Sequence, residues 1–144
     1  MKFKVLLLLT LFTAGLTACK KESKNVAASI EGEWHATAYK VATVVNGAEQ
    51  VSSDTKYDPA DPSTHFTFYD NGTGMQHPAD PIYANLVSFN YTLENSVLTV
   101  KPMFFLVNHN TFTVTKLSDS EITLTIKNNN TDGSHTLQVL SLSK

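Results

Sequence analysis

From Trp34 to Leu142 the apolar residues recur at every second position rather than every third or fourth, the spacing of strands with one buried face. Phe66 and Phe68, Phe89 with Tyr91 and Leu93, Phe112 with Val114, and Ile122 with Leu124 and Ile126 all follow it. Turn-forming residues separate these runs. Asn46-Gly47 supplies the two positive φ angles of a type I′ hairpin, and Asp70-Asn71-Gly72, Glu94-Asn95-Ser96, Ser118-Asp119-Ser120 and Asn128 to Gly133 mark further turns. With Asn71-Gly72 as a two-residue turn, Phe68 falls opposite Met75 and both face one core. The first hairpin returns to Val51; residues 52–64, with Pro59, Pro62 and three aspartates, read as a loop, and residues 77–84, with Pro78 and Pro81, as a second. Eight or nine short strands joined by tight turns predict an all-β fold, an antiparallel up-and-down β-barrel of about eight strands. A Greek-key sandwich would need crossing connections that the sequence does not provide.

The chain has 144 residues, enough for one core and hardly two. Its first residues are organised differently. Met1 to Lys4 form a basic head, Val5 to Leu16 are almost all apolar, and small residues precede Cys19, the single cysteine. An apolar run of about a dozen residues is short of the roughly 20 that cross a bilayer, so residues 1–18 read as a cleaved secretory signal. Leu16-Thr17-Ala18-Cys19 resembles the bacterial lipobox, in which the cysteine thiol receives diacylglycerol before cleavage and a further fatty acid such as palmitate after it. Residues 19–29 then form a polar tether, and residues 30–144 the barrel domain. Each buried methylene contributes about 0.8 kcal/mol, so several chains on one residue anchor a protein durably. The resemblance implies a membrane partner through lipidated Cys19. The absence of aspartate after that cysteine implies the outer membrane, on its periplasmic face or at the cell surface; Cys19-Lys20-Lys21-Glu22 is similar to the short surface-export tags of Bacteroidota lipoproteins.

Removing residues 1–18 takes away Lys2 and Lys4 and moves the net charge from −2 to −4. There is no arginine and no basic cluster beyond the tether, so nucleic acid is excluded as a partner.

Gly32-x-Trp34 at the start of the first strand resembles the lipocalin signature. Ile30-x-Gly32-x-Trp34 followed by Phe66-Thr67-Phe68-Tyr69-Asp70-Asn71-Gly72-Thr73-Gly74, and later by Phe112 to Leu124, is similar to the lipocalin-like lipoproteins of Bacteroidota. Lipocalins pack a late arginine over the signature tryptophan; here Lys144 and Lys127 are the candidates for that place. In either case Trp34 is an apolar plug for the closed end.

No cofactor is expected. An acylated Cys19 leaves no thiol for catalysis, zinc or a disulfide. His35, His65, His77, His109 and His135 form no His-x-His or His-Glu-x-x-His pair; His65 and His77 approach across the Asn71-Gly72 hairpin, which gives two ligands at most, and they read as solvent-facing strand residues rather than a metal site. Asp54, Asp58, Asp61 and Asp80 lack the spacing of a calcium loop. No nucleophile elbow, phosphate-binding glycine loop or matched carboxylate pair is present, and the protein is read as a non-enzyme.

Phe66, Phe68, Phe89, Tyr91 and Phe112 are the candidate ligand-contacting set; they line a cavity, or they fill the barrel, which is the commoner fate of alternating aromatics. Phe104, Phe105 and Leu106 form a consecutive apolar run, read as buried in preference to an exposed patch. Two functions follow: capture of a small apolar ligand in the barrel, or recognition of a protein partner, as an inhibitor, immunity or assembly lipoprotein, through residues 52–64 and 78–85 or the Phe104-Phe105 edge.

Overall fold

The computed structural model describes residues 30–77, 87–104 and 107–144. The N-terminal segment with Cys19 therefore lies outside the described residues, as do Phe105, Leu106, the side chain of Phe104 and most of the second proline-bearing connection. Nine antiparallel strands follow in order: β1 (Gly32–Val45), β2 (Ala48–Lys56), β3 (His65–Phe68), β4 (Thr73–Gln76), β5 (Val87–Glu94), β6 (Val97–Phe104), β7 (His109–Lys116), β8 (Glu121–Asn129) and β9 (His135–Ser143). From β3 to β9 each strand pairs with the next, and β1 pairs with β9 and β3, so eight strands close into an up-and-down barrel and β2 is an extra strand.

β1 organises this closure. One edge runs along β9 from His35 to Val44. Its other edge is divided: Gly32 to His35 pair with β3, and Ala38 to Val45 pair with β2. The wall made by β8, β9, β1 and β2 therefore rises past the four-residue strands β3 and β4. The β1–β2 turn is the type I′ hairpin expected, with φ of 52° at Asn46 and 79° at Gly47.

Two strand expectations need correction. The return strand β2 does not stop at Val51 but continues to Lys56, so the following connection is residues 57–64. Every residue of β2 is exposed, so no apolar alternation marks it; backbone pairing to β1 carries it, with Ser52 bulged out and its hydroxyl donating to the Val41 carbonyl at 3.0 Å. In the β3–β4 hairpin Phe68 lies opposite Gly74, and Met75 opposite Thr67, one residue away from the predicted register. Three residues rather than two make that loop. Tyr69 N–H donates to Thr73 O at 2.8 Å, Gly72 N–H donates to Tyr69 O at 3.3 Å, and Gly72 takes φ of 78°, a type I turn closed by a left-handed residue. Met75 consequently points outward, where Tyr69 Oη meets its sulfur at 3.0 Å.

The core is one cluster formed by the inward faces of the barrel strands. Trp34, Phe66, Phe68, Phe112, Leu98, Ile122, Leu124, Leu140 and Leu142 are all at most 1% exposed. Ile122, Leu124 and Ile126 face inward together as the alternation requires.

Candidate functional site

The barrel interior is graded from one end to the other. At the end where β1 begins, Trp34 is fully buried and its indole Nε1–H donates to the Ile30 carbonyl at 2.7 Å, which ties the entering chain across the opening. Of the two candidate lysines, Lys144 occupies the place over the indole: its Nζ stands 4.7 Å from the Trp34 ring centroid and donates to the Glu31 carbonyl at 2.9 Å. Above the plug, Phe68 makes edge contacts with Phe89 at 5.4 Å and with Tyr91 at 5.1 Å between centroids. Phe66, Phe68, Phe89 and Phe112 are buried; Tyr91 is partly buried, and its hydroxyl donates to the Tyr69 carbonyl at 2.6 Å. The five aromatic residues singled out from the sequence thus occupy the packed interior, with Tyr91 holding the Tyr69–Gly72 turn.

The other end is built differently because β1 changes parity. Ala36 faces Leu142 and Ala38 faces Ser141, so Thr37 is an extra residue between them. Before this bulge the even positions Trp34 and Ala36 point inward; after it the odd positions do, beginning with Tyr39 opposite the buried Leu140. By the same register Val41 and Thr43 on β1, and Gln138 and Thr136 on β9, face the interior on the tall wall. These residues are only partly buried. Tyr39 Oη donates to Gln138 Oε1 at 2.6 Å, and Tyr57, whose N–H donates to the Thr37 carbonyl at 3.1 Å, packs against the same core. Burial pushes the Tyr39 phenol above its ordinary value, and a neighbouring tyrosinate at Tyr57 would push it further; burial raises Tyr57 as well. Both stay neutral hydrogen-bonding groups at physiological pH. The upper inward positions thus carry two phenols and one amide above an apolar floor.

Outside the barrel, an open groove of about 410 Å³ lies where the small residues Ala38, Ser141 and Ser143 floor the wall, with Lys56 on one side and Leu117 and Glu121 on the other. Leu117 is 61% exposed at its rim.

The histidines also meet. His65 lies opposite His35 on β1, and the His77 N–H donates to the His65 carbonyl at 3.1 Å, so the three imidazoles stand in a row across β1, β3 and the end of β4. The approach of His65 to His77 was legible from the hairpin; His35 was not, because β1 meets β3 only through a pairing distant in sequence. Among the described residues, no group of three or more His, Cys, Asp or Glu side chains could hold a metal ion as they are placed. Asp58 and Asp61 cap local turns, Asp61 Oδ1 accepting from the Ser63 N–H at 2.9 Å and from its hydroxyl at 2.7 Å.

Searches with family models, curated proteins and solved structures found no match to this chain. The barrel and its own chemistry therefore carry the functional reading.

Proposed function

We propose that this protein is a lipid-anchored, lipocalin-like carrier of the bacterial outer membrane that takes a small, largely apolar and uncharged molecule into the mouth of its barrel. The observation that carries the reading is the graded interior: a floor sealed by Trp34, and a partly accessible upper end bearing Tyr39, Tyr57 and Gln138. About eight strands enclose room for one small ligand, and a few polar groups above an apolar floor orient it. The upper positions that the β1–β9 register turns inward, from Tyr39 to Thr43 and from Thr136 to Gln138, include no charged side chain. A formally charged ligand would lose its water there without a compensating partner, which favours a neutral one. The role is binding rather than catalysis, since neutral phenols and an amide orient a guest without activating it.

The anchor fits this geometry. Ile30 is tied to the sealed end, and the 11 residues from Cys19 to Ser29 span at most about 40 Å when extended. A chain acylated at Cys19 would be joined to the bilayer through its plugged end, with the barrel at most about 40 Å from the anchor. The outer groove with exposed Leu117 favours a second reading, an interaction lipoprotein that binds a partner on the wall.

Native mass spectrometry of the protein recovered from its own host tests the first reading. A retained small apolar mass that is lost in Tyr39→Phe/Gln138→Leu supports capture. A ligand-free barrel that co-purifies with a stoichiometric protein partner, released by Leu117→Asp, supports the second reading and refutes the first. Cys19→Ser should move the protein from the membrane fraction to the soluble one; continued membrane association would refute the anchor.

A further inference from the structure

The histidine row brings a ring nitrogen of His65 face to face with the Glu33 carboxylate. His65 Nε2 lies 2.9 Å from the Pro59 carbonyl oxygen, which can only accept, so Nε2 carries the hydrogen. In the neutral ring this leaves Nδ1 bare, and Nδ1 lies 3.6 Å from Glu33 Oε1. A lone pair facing a carboxylate repels it unless a proton or a metal cation lies between them, so the same geometry serves an imidazolium–carboxylate ion pair and a metal site. A ring N–H donated to a backbone carbonyl is also the support that metal-binding histidines commonly use to fix the tautomer.

The spacing suits an ion. Two ligands on a tetrahedral metal with bonds of about 2.0–2.1 Å are separated by about 3.4 Å, within a few tenths of the Nδ1 to Oε1 distance. Two imidazoles on one tetrahedral ion with such bonds have centroids about 5 Å apart, so a neighbouring ring must close in by up to about 1 Å. His35 and His77 flank His65 at centroid distances of 5.7 Å and 6.1 Å, one on each side. Glu33 and His35 point outward, because the alternating residues Trp34 and Ala36 point in, and the row is reachable from solvent. Glu33 and His65 are thus a preset pair, and a third ligand requires rotation of His77, or of His35 after its Nε2 leaves the Ser143 hydroxyl 2.9 Å away.

We propose that Glu33 and His65, joined by His35 or His77, form a divalent transition-metal site on the outer wall of the barrel, selective for copper(II), zinc and nickel over calcium and magnesium. Imidazole nitrogen favours the former group, with copper(II) bound most tightly, whereas calcium and magnesium require oxygen ligands. The site is separate from the barrel mouth and does not depend on what the mouth holds.

Calorimetric titration with zinc chloride and with copper(II) chloride at pH 7.5 tests it. The protein is the chain from residue 19 carrying Cys19→Ser and no histidine tag, so that neither a free thiol nor a tag competes. One ion per chain is expected. Replacing a ligand should cost at least the about 10–100-fold in affinity that loss of a supporting partner costs, so His65→Asn and Glu33→Gln should each weaken binding by that much. His35→Asn and His77→Asn should each have a smaller effect, and the pair together should match His65→Asn. His109→Asn and His135→Asn should change nothing. Thermal melts without metal check that each variant is folded. Unchanged affinity in a folded His65→Asn, or displacement of zinc by equimolar calcium or magnesium, would overturn the proposal.

Discussion

Replacing Gly74 with alanine should destabilise the barrel although the change adds one methyl and breaks no hydrogen bond. Gly74 is buried on β4, opposite Phe68 on one side and Phe89 on the other. The Phe89 ring lies across it, so an added Cβ would meet Phe89 Cε2 and Cζ well inside van der Waals distance and Thr67 O at 2.6 Å. The backbone at Gly74 is not in the left-handed region, so the penalty is steric. Overpacking of this kind costs about 1–3 kcal/mol. Swinging Phe89 aside also forfeits its edge contact with Phe68, worth about 0.5–1.5 kcal/mol. Against this, the loss of glycine's freedom in the unfolded chain returns about 0.4–1 kcal/mol. The net expectation is about 0.5–4 kcal/mol, centred near about 2 kcal/mol. With a urea slope of about 1–3 kcal/mol per molar, the midpoint should fall by about 1–2 M in equilibrium unfolding followed by tryptophan fluorescence. Phe89→Leu in the same chain should remove only the ring clash, so the double variant should be more stable than the sum of the singles, the Thr67 carbonyl still being crowded. A Gly74→Ala protein within about 0.5 kcal/mol of the parent, the range of neutral surface changes, would refute this account of the Phe89 ring.

Two further predictions concern the plug and the mouth. Lys144→Met should cost about 0.5–1 kcal/mol through the lost cation–π contact with Trp34, and Lys144→Arg should retain it; an unchanged urea midpoint in Lys144→Met would show that the contact contributes nothing. Burial raises the phenols of Tyr39, Tyr57 and Tyr91 above their ordinary value of 10.0, so above about pH 10 the unfolded chain gives up these protons before the fold does. Their contribution is fully present below that pH and lost as pH rises through the folded values. Urea midpoints measured from pH 8 to 11 should therefore fall at the alkaline end, less steeply in Tyr57→Phe, and identical slopes in the two proteins would contradict the buried setting of Tyr57.

How much of this was legible in the sequence depended on what held each element. Where one face of a strand is buried, as at Phe66 and Phe68 or at Ile122, Leu124 and Ile126, period-two apolar spacing is enough, because slipping by one residue would put the whole set in water. β2 has no buried face, and its continuation to Lys56 left no mark that periodicity could detect. The β3–β4 register turned on whether Asp70 belongs to the loop, and a motif such as Asp-Asn-Gly fits loops of two or three residues. The mouth was missed because the extra residue Thr37 reverses the parity of β1. A signal was present, since Trp34 and Ala36 are even while Tyr39 and Val41 are odd, and two apolar sets out of phase within one strand call for a bulge between them. The grouping of His35 with Glu33 and His65 had no such signal. It follows from barrel closure, and closure is a property of the whole chain.

The divided edge of β1 explains why the two ends of one small barrel are lined so differently. If β3 followed β1 along all of Gly32–Val45, the walls would be of equal height and the alternation begun at Trp34 would continue inward to the far end. Instead β3 leaves after His35, β2 takes over at Ala38, and Thr37 bulges where the partner changes. Below that level inward positions are filled by Trp34 and the phenylalanines; above it they present phenols, an amide and threonine. The same break exposes the wall on which Ala38 and Ser141 floor the groove, and leaves Glu33 and His35 outward beside His65. Deleting Thr37 restores a single parity. With the extra residue gone, Ala36 inward, Ala38 outward and Tyr39 inward follow one regular alternation against Leu142, Ser141 and Leu140. The deletion should therefore keep the Tyr39–Gln138 hydrogen bond and the Trp34 plug, and a deletion variant that turns Tyr39 outward would show that Thr37 is not the extra residue.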